Sequence, residues 1–335
     1  MQDKKIVFVT GSTGLLGNNL VRELLERGYQ VKALARSLEK AKKQFSGLNI
    51  EIVIGDLNNV SGFKNHFADV NILFHTAAYF RDNYKGGNHW NELLKTNIEG
   101  TKNLIEAAIA CGVKNIVHTS SIAVLDGQPN TLIDETMSRD IEDADNYYKS
   151  KIMSEQTVRS ISKKHPDVKF TYILPGWMFG PGDLGPTSSG QLIQDFMNKK
   201  IPGIPPGTFS VVDARDVAIA HIKAAELGKN GERYLAAGNE KNMKDIFQQI
   251  ESATQIKSPK LNIPYFVLLL IAIANEIYAA ITNKPILMSL GSVKLLKKEK
   301  GKTRFNPEKS FRHLNLTFRP LETTIKDSIQ KNPQL

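Results

Sequence analysis

The sequence predicts an α/β fold, a doubly wound parallel sheet with a smaller, mainly helical C-terminal part, and three observations carry that prediction. Short β-branched runs alternate with longer helical patterns through residues 1 to 178, the signature of βαβ units. Most of the short runs are apolar without alternation, as strands covered on both faces are. The 335 residues, 41% hydrophobic and 23% charged, suit one large or two modest globular domains at about 150 residues each.

The candidate strands are Lys5 to Thr10, Val31 to Ala35, Ile50 to Gly55, Val70 to His75, Asn115 to Ser120 and Phe170 to Leu174. Between the first two, Leu16, Leu20 and Leu24 recur one helical turn apart within Leu15 to Arg27, and Gly28 supplies a stop. Residues 180 to 207 hold five of the fourteen prolines and six glycines, which interrupts regular structure and marks a boundary. Ser210 to Asp213 and Arg233 to Ala237 read as strands that return to the sheet. The chain thus divides into a sheet domain, 1–178 with a return segment at about 209–238, and a cap made of 179–208 and 239–335.

Lysine plus arginine exceeds the acids by 44 − 34 = 10 charges, so the surface attracts anions. The most basic stretch, Lys294 to Arg304, has no interleaved aromatics, and no nucleic-acid partner is expected. Cys111 is the only cysteine, which rules out an intramolecular disulfide and suits a reducing cytoplasm. The histidines show no HxxxH or HxH spacing and GxSxG is absent, so neither a metal site nor a serine hydrolase is expected. The N-terminal apolar stretch Ile6 to Val9 is too short for a secretion signal. The longest apolar run, Phe266 to Ala274, ends at Asn275 and Glu276. As a helix it reaches about 14 Å against about 30 Å of hydrocarbon, so no transmembrane segment is expected.

Gly11-Ser12-Thr13-Gly14-Leu15-Leu16-Gly17 follows a strand and opens a helix. Glycines there allow a tight turn and let backbone amides approach a pyrophosphate at the positive end of the helix, the dinucleotide-binding arrangement of Rossmann domains. An NAD site places an acid about twenty residues further on, at the end of the second strand. Arg36 stands there instead, and a guanidinium grips a 2′-phosphate bidentately. NADP(H) is therefore the expected cofactor, with NAD(H) as the alternative and Lys43 as a second contact.

Tyr147 and Lys151 lie four residues apart in a helical stretch, on one face. A tyrosine titrates near neutral pH only beside a stabilising cation, which Lys151 offers. Ser121 ends the strand Asn115 to Ser120 at the carboxyl edge, where open α/β sheets bind ligands, and its hydroxyl suits a substrate oxygen beside Tyr147.

Taken in order, TGSTGLLG, Asp56-Leu57, His75-Thr76-Ala77-Ala78, Thr96 to Thr101, Thr119-Ser120-Ser121, Asp134-Glu135-Thr136, YxxxK and Val211 to Val217 resemble the extended short-chain dehydrogenase/reductase family over nearly the whole chain. The match is of the epimerase/dehydratase type, nearest to dihydroflavonol-reductase-like, aldehyde-reductase and hopanoid-associated epimerase-like members. The resemblance implies that Ser121, Tyr147 and Lys151 are catalytic. Tyr147 would protonate the carbonyl oxygen, Ser121 would hold it, and Lys151 would bind the ribose and lower the tyrosine pKa. It places Asp56 and Leu57 beside adenine, and Thr76, Ala77, Ala78 and Thr119 along the cleft. Pro175, Gly176, Trp177 and Met178 fall near the nicotinamide. Asn97 joins the cofactor set, with bracing of a helix as its other role.

Sugar-nucleotide members usually carry an asparagine shortly after the Pro175 position and an arginine before the segment Phe209 to Val217. Here Trp177 follows Pro175-Gly176, and Ile201 to Ser210 has no arginine. The expected function is an NADP-dependent carbonyl reductase or alcohol dehydrogenase acting on a smaller or more apolar carbonyl compound than a nucleotide sugar, an aldehyde or ketone with substantial apolar surface. The alternatives are a nucleoside-diphosphate-sugar epimerase or dehydratase and a non-catalytic NADP-binding regulator, the last disfavoured by Tyr147 and Lys151. The expected assembly is a monomer or homodimer. The aliphatic Ile263 to Ala280 reads first as core or substrate-pocket packing, with an oligomer contact or a shallow peripheral membrane contact beside the basic stretch as alternatives.

Overall fold

The computed structural model describes residues 4–80, 89–282, 286 and 288–331. Residues 283–285, 287 and 332–335 of the expected cap and 1–3 and 81–88 of the expected sheet domain lie outside this set. Seven parallel strands form the main sheet: β1 (Ile6–Thr10), β2 (Gln30–Ala35), β3 (Glu51–Ile54), β4 (Ile72–His75), β5 (Asn115–Thr119), β6 (Lys169–Pro175) and β9 (Arg233–Ala236), in the order β3-β2-β1-β4-β5-β6-β9. The order in which successive strands are added reverses between β1 and β4, which opens the crevice where such sheets bind ligands.

Both faces are covered, which is why the strands do not alternate. Val7 and Val9 of β1 point into one core with Leu16, Leu20 and Leu24 of α1 (Leu15–Glu26) and Val217 and Ala220 of α6 (Ala214–Leu227). Phe8 points into the other with Leu104 and Ile105 of α3 (Thr101–Ala110) and Val158 and Ile161 of α4 (Asn146–Lys164). The short α2 (Leu38–Gln44) follows β2. Gly28 ends α1 with φ +81°, a conformation L side chains rarely adopt.

The return segment divides between two sheets. Arg233–Ala236 joins the main sheet beside β6 as expected, but the expected strand Ser210 to Asp213 does not. It belongs to β8 (Thr208–Asp213), which pairs with β7 (Trp177–Phe179) and β10 (Asn239–Asn242) in a separate three-stranded sheet. The place beside β6 is filled by β9, and Gly176 lets the chain leave β6 there. A Cβ on Gly176 would lie 2.4 Å from the Ala237 carbonyl oxygen and 2.6 Å from that of Ser210. A third core joins this small sheet to α5 (Ser188–Met197), α7 (Met243–Thr254) and α11 (Leu321–Gln330) through Leu192, Phe196, Phe247 and Ile325. Between them in the chain, α10 (Glu308–Leu314) sets Leu314 into the first core.

The apolar stretch of the cap departs from its first reading as core or pocket packing. It forms α8 (Tyr265–Thr282), an 18-residue helix that is not a core helix: Leu268, Ala272 and Ala279 are buried, while Leu270 is 63% and Ile281 77% exposed. It is also longer than the apolar run suggested, and by length and composition it is able to cross a membrane. Asn275 and Glu276 do not end it, because both turn towards α9 (Leu290–Lys298). The Asn275 amide donates to the Met288 carbonyl at 3.1 Å, and Glu276 accepts from the Leu290 amide at 2.9 Å.

Candidate active site

Every expected site segment lies along the carboxyl edge of the main sheet or on the helices behind it. At the end of β1, Gly11 has φ +65°, and a Cβ there would meet the Ala77 backbone at 2.8 Å. Gly17 is held tighter still, since its Cβ would fall 2.1 Å from the Gly11 carbonyl oxygen. Gly14 caps α1 with no side-chain partner and no acid in the first turn, leaving the helix dipole and early amides available to an anion. Ser12 is different: its hydroxyl is buried and donates to the Leu34 carbonyl at 2.7 Å, so that side chain fixes the loop to β2. These features fit a dinucleotide.

Arg36 is exposed at the carboxyl end of β2, and among the described residues it makes no ion pair or hydrogen bond. Lys43 is exposed in the last turn of α2. Asp56 caps the turn after β3 by accepting the Asn58 amide at 2.8 Å, with Leu57 buried beneath it. Beyond β4, Thr76 donates its hydroxyl to the Thr10 carbonyl at 2.6 Å and Ala77 donates its amide to the Thr10 hydroxyl at 3.2 Å, while Ala78 is exposed.

Asn97 takes the bracing role. It is buried, accepts the Tyr79 amide at 2.6 Å, and donates to the Tyr79 carbonyl at 3.0 Å and the Ser150 hydroxyl at 3.1 Å. Its amide is thus committed to joining the segment after β4 to α4.

The helix α4 starts where Asp145 accepts the Tyr148 amide at 2.7 Å, which sets Tyr147 in its first turn and Lys151 one turn deeper. Ser121 caps the turn after β5 by accepting the Ala123 amide at 3.1 Å, and its hydroxyl also bonds to the Tyr147 phenol. Phe80 packs edge-on against the Tyr147 ring, centroids 4.8 Å apart. Lys151 is buried, and its ammonium donates to the Thr119 carbonyl at 2.8 Å.

Burial brings the Lys151 pKa down to about 8, with Glu155 opposing that shift. Burial, reinforced by Asp145, pushes the Tyr147 phenol well above its ordinary value, and only the Ser121 hydrogen bond acts downwards. The expectation that Lys151 lowers the tyrosine pKa is therefore not met. Its ammonium is directed to the strand carbonyl, and desolvation of the phenolate decides the direction.

At the end of β6, Pro175 is buried. Trp177 does not stand alone at the cleft: its ring packs with Phe179 at 4.8 Å and Phe209 at 5.0 Å, and its indole donates to the Ser188 hydroxyl at 2.8 Å. Met178 packs towards the first core.

Sequence reasoning missed the layer beneath. Glu155, one turn beyond Lys151, accepts from the Ser120 hydroxyl at 2.5 Å, from Arg159 at 2.9 Å and from Arg233 at 2.7 Å. Its spacing from Lys151 on one helix face was the available signal. His221 meets the Thr119 hydroxyl at 2.7 Å, and His75 bridges the Thr10 and Thr101 hydroxyls at 2.8 and 2.9 Å. Burial holds these rings neutral, His75 down to about 3 and His221 to about 4.

Known proteins share this sequence pattern and this fold. The model of the "NAD dependent epimerase/dehydratase family" matches residues 7–237. The chain is 29% identical over 335 residues to a putative dihydroflavonol 4-reductase of Synechocystis sp., covering 96% of this chain and 93% of the relative. It is 35% identical over 259 residues to sterol demethylase protein B of Methylococcus capsulatus, covering 77% of each. Among solved structures, gox2253 superposes with a TM-score of 0.82 at 28% identity over 98% of both chains.

Proposed function

The chain belongs to the NAD-dependent epimerase/dehydratase family, the extended short-chain dehydrogenase/reductase group whose motifs it carries, and from that premise we propose that it is an NADP-dependent reductase of an aldehyde or ketone with substantial apolar surface. The observation that carries this reading over sugar-nucleotide chemistry is the aromatic cluster of Trp177, Phe179 and Phe209, joined by a segment, Ile201 to Ser210, without arginine. A nucleoside diphosphate needs its two charges compensated when it leaves water. An apolar carbonyl compound gains about 25 cal/mol per Å² of buried apolar area. Two relatives bear names that refer to a dihydroflavonol and a sterol, both ring compounds with large apolar faces.

When bound, NADP supplies the hydride. The amides of Gly11 to Gly17 would hold its pyrophosphate, Arg36 with Lys43 its 2′-phosphate, Asp56 and Leu57 its adenine, and Lys151 its ribose. Thr76, Ala77, Ala78, Thr119 and Pro175 to Met178 would shape the cleft. Ser121 and Tyr147 hold the substrate carbonyl oxygen between their hydroxyls. Tyr147 releases its proton as that oxygen becomes an alkoxide, which is a stronger base than a phenolate. The Tyr147 phenol carries its proton at neutral pH, as an ordinary phenol does, and is available to donate it.

The test is NADPH oxidation across a panel of aldehydes and ketones, paired with calorimetric titration of UDP, UDP-glucose and UDP-galactose. Turnover of apolar carbonyl compounds with no nucleotide-sugar binding is expected. Micromolar, salt-suppressed binding of a UDP-sugar with epimerised product overturns the reading.

Arg36→Ala should remove the preference for NADP(H) over NAD(H). A charge-assisted hydrogen bond is worth about 1.5–3 kcal/mol, roughly ten- to hundred-fold in affinity. Parallel titrations of both cofactors into the wild type and the variant measure it; equal affinities in the wild type sink the assignment.

A further inference from the structure

We propose that α8 and the lysines around its N-terminal end form a surface that docks on an anionic phospholipid bilayer, with the helix lying in the plane of the headgroup boundary. Phe266, Leu270, Ile273, Ile277 and Ile281 are all exposed. At about 100° per residue they fall within an arc of about 80° along the whole helix, about 27 Å. The buried Leu268, Ala272 and Ala279 lie on the opposite side, and Leu268 and Ala272 share a small core with Val293 of α9. Leu261, just ahead of the helix, is also 73% exposed. A stripe of this kind is rare on a protein meant to face only water.

Charge decides what covers it. Glu276 is the one charged side chain in α8, and it is turned away to the Leu290 amide, so the stripe carries no charge. Lys257 and Lys260 precede the helix, and Lys294 and Lys297 are exposed on α9. The Lys297 ammonium sits 5.4 Å from the centre of the Tyr265 ring, at the start of α8. Glu251 accepts the Ser258 amide at 2.9 Å and lies within electrostatic reach of Lys257 and Lys260, offsetting one of their two charges, while Glu299 accepts from Arg139 at 2.9 Å. Lys298 and Lys302 pair with Asp143 and Asp126 and are not part of the surface. An uncharged apolar stripe with lysines at its end complements an acidic headgroup layer. A second copy of the chain, itself carrying ten excess positive charges, would bring like charges together. A bilayer span would tear Asn275 and Glu276 from α9.

Sedimentation of the full chain with vesicles tests this directly. Phosphatidylglycerol-containing vesicles should carry the protein down at low salt, and pure phosphatidylcholine vesicles much less. The double variant Leu270→Glu/Ile277→Glu should lose at least about tenfold in vesicle affinity. Lys294→Glu/Lys297→Glu should lose about fivefold or more per lysine, both variants keeping NADP affinity. Three outcomes overturn the proposal. The wild type fails to bind anionic vesicles and sediments as a dimer that the glutamates split, which makes the face a contact between copies; it stays in the vesicles through high salt and alkaline carbonate, which makes the helix a span; or the glutamate variants bind as the wild type does.

Discussion

Tyr147→Phe should lower kcat at least about a hundred-fold, the usual contribution of a positioned proton donor, and leave the Kd for NADPH nearly unchanged. The substitution removes one hydroxyl and keeps the ring that packs edge-on against Phe80 at 4.8 Å, so the helix start and the Ser121 turn retain their shape. Lys151→Ala should damage both parameters, because a buried ammonium that donates to the Thr119 carbonyl serves charge and position together. NADPH oxidation under saturating substrate gives kcat, and cofactor fluorescence gives Kd. If Tyr147→Phe retains more than about a tenth of wild-type turnover, another group supplies the proton.

Glu155→Gln should cost the largest share of stability of any single change at the site, about 3 kcal/mol or more. A buried ion pair is weak evidence for stability in itself, but removing one member strands the other, at about 3–5 kcal/mol. Glu155 is 2% exposed and holds Arg233, Arg159 and the Ser120 hydroxyl at once. The direction with pH follows. Burial raises its pKa, but Arg233, the Ser120 hydroxyl and Arg159 together outweigh burial and hold it below the ordinary carboxylate value. The carboxylate therefore stabilises the fold above that ordinary value, and the contribution disappears as pH falls through the lowered one. Urea midpoints across acid and neutral pH should show a wild-type slope that Glu155→Gln lacks. An unchanged midpoint at neutral pH contradicts the argument. Turnover should fall as well, since Ser120 adjoins Ser121.

The sheet and the edge it presents were legible in the sequence because both are written locally. Leu16, Leu20 and Leu24 lie on one helix face, the runs around Val7 and Val117 are apolar throughout, and a glycine turn joins strand to helix. What escaped is set by partners distant in the chain. Ser210 to Asp213 reads as one more buried strand, and only the arrival of β9 beside β6 assigns it to the small sheet. Trp177 reads as a lone aromatic until Phe179 and Phe209 fold around it. Asn97 is a polar residue in a helical stretch whose task appears only when Tyr79 and Ser150 meet it. For α8 the pattern gave the helix but not its surroundings, since an apolar stripe looks the same in sequence whether it meets protein or water.

The placement of α6 and β9 also bears on how the chain is made. On the ribosome, α1 emerges early, yet the helix that covers it is α6, and Tyr29 waits for Glu226 to accept its hydroxyl at 2.7 Å. Until then α1 packs on β1 and β2 without the helix that completes its cover, and β6 is an open edge, a template for pairing with another chain. The nascent nucleotide half thus stays unfinished through the synthesis of most of its small sheet, and its slowest step is set by contacts far apart in sequence.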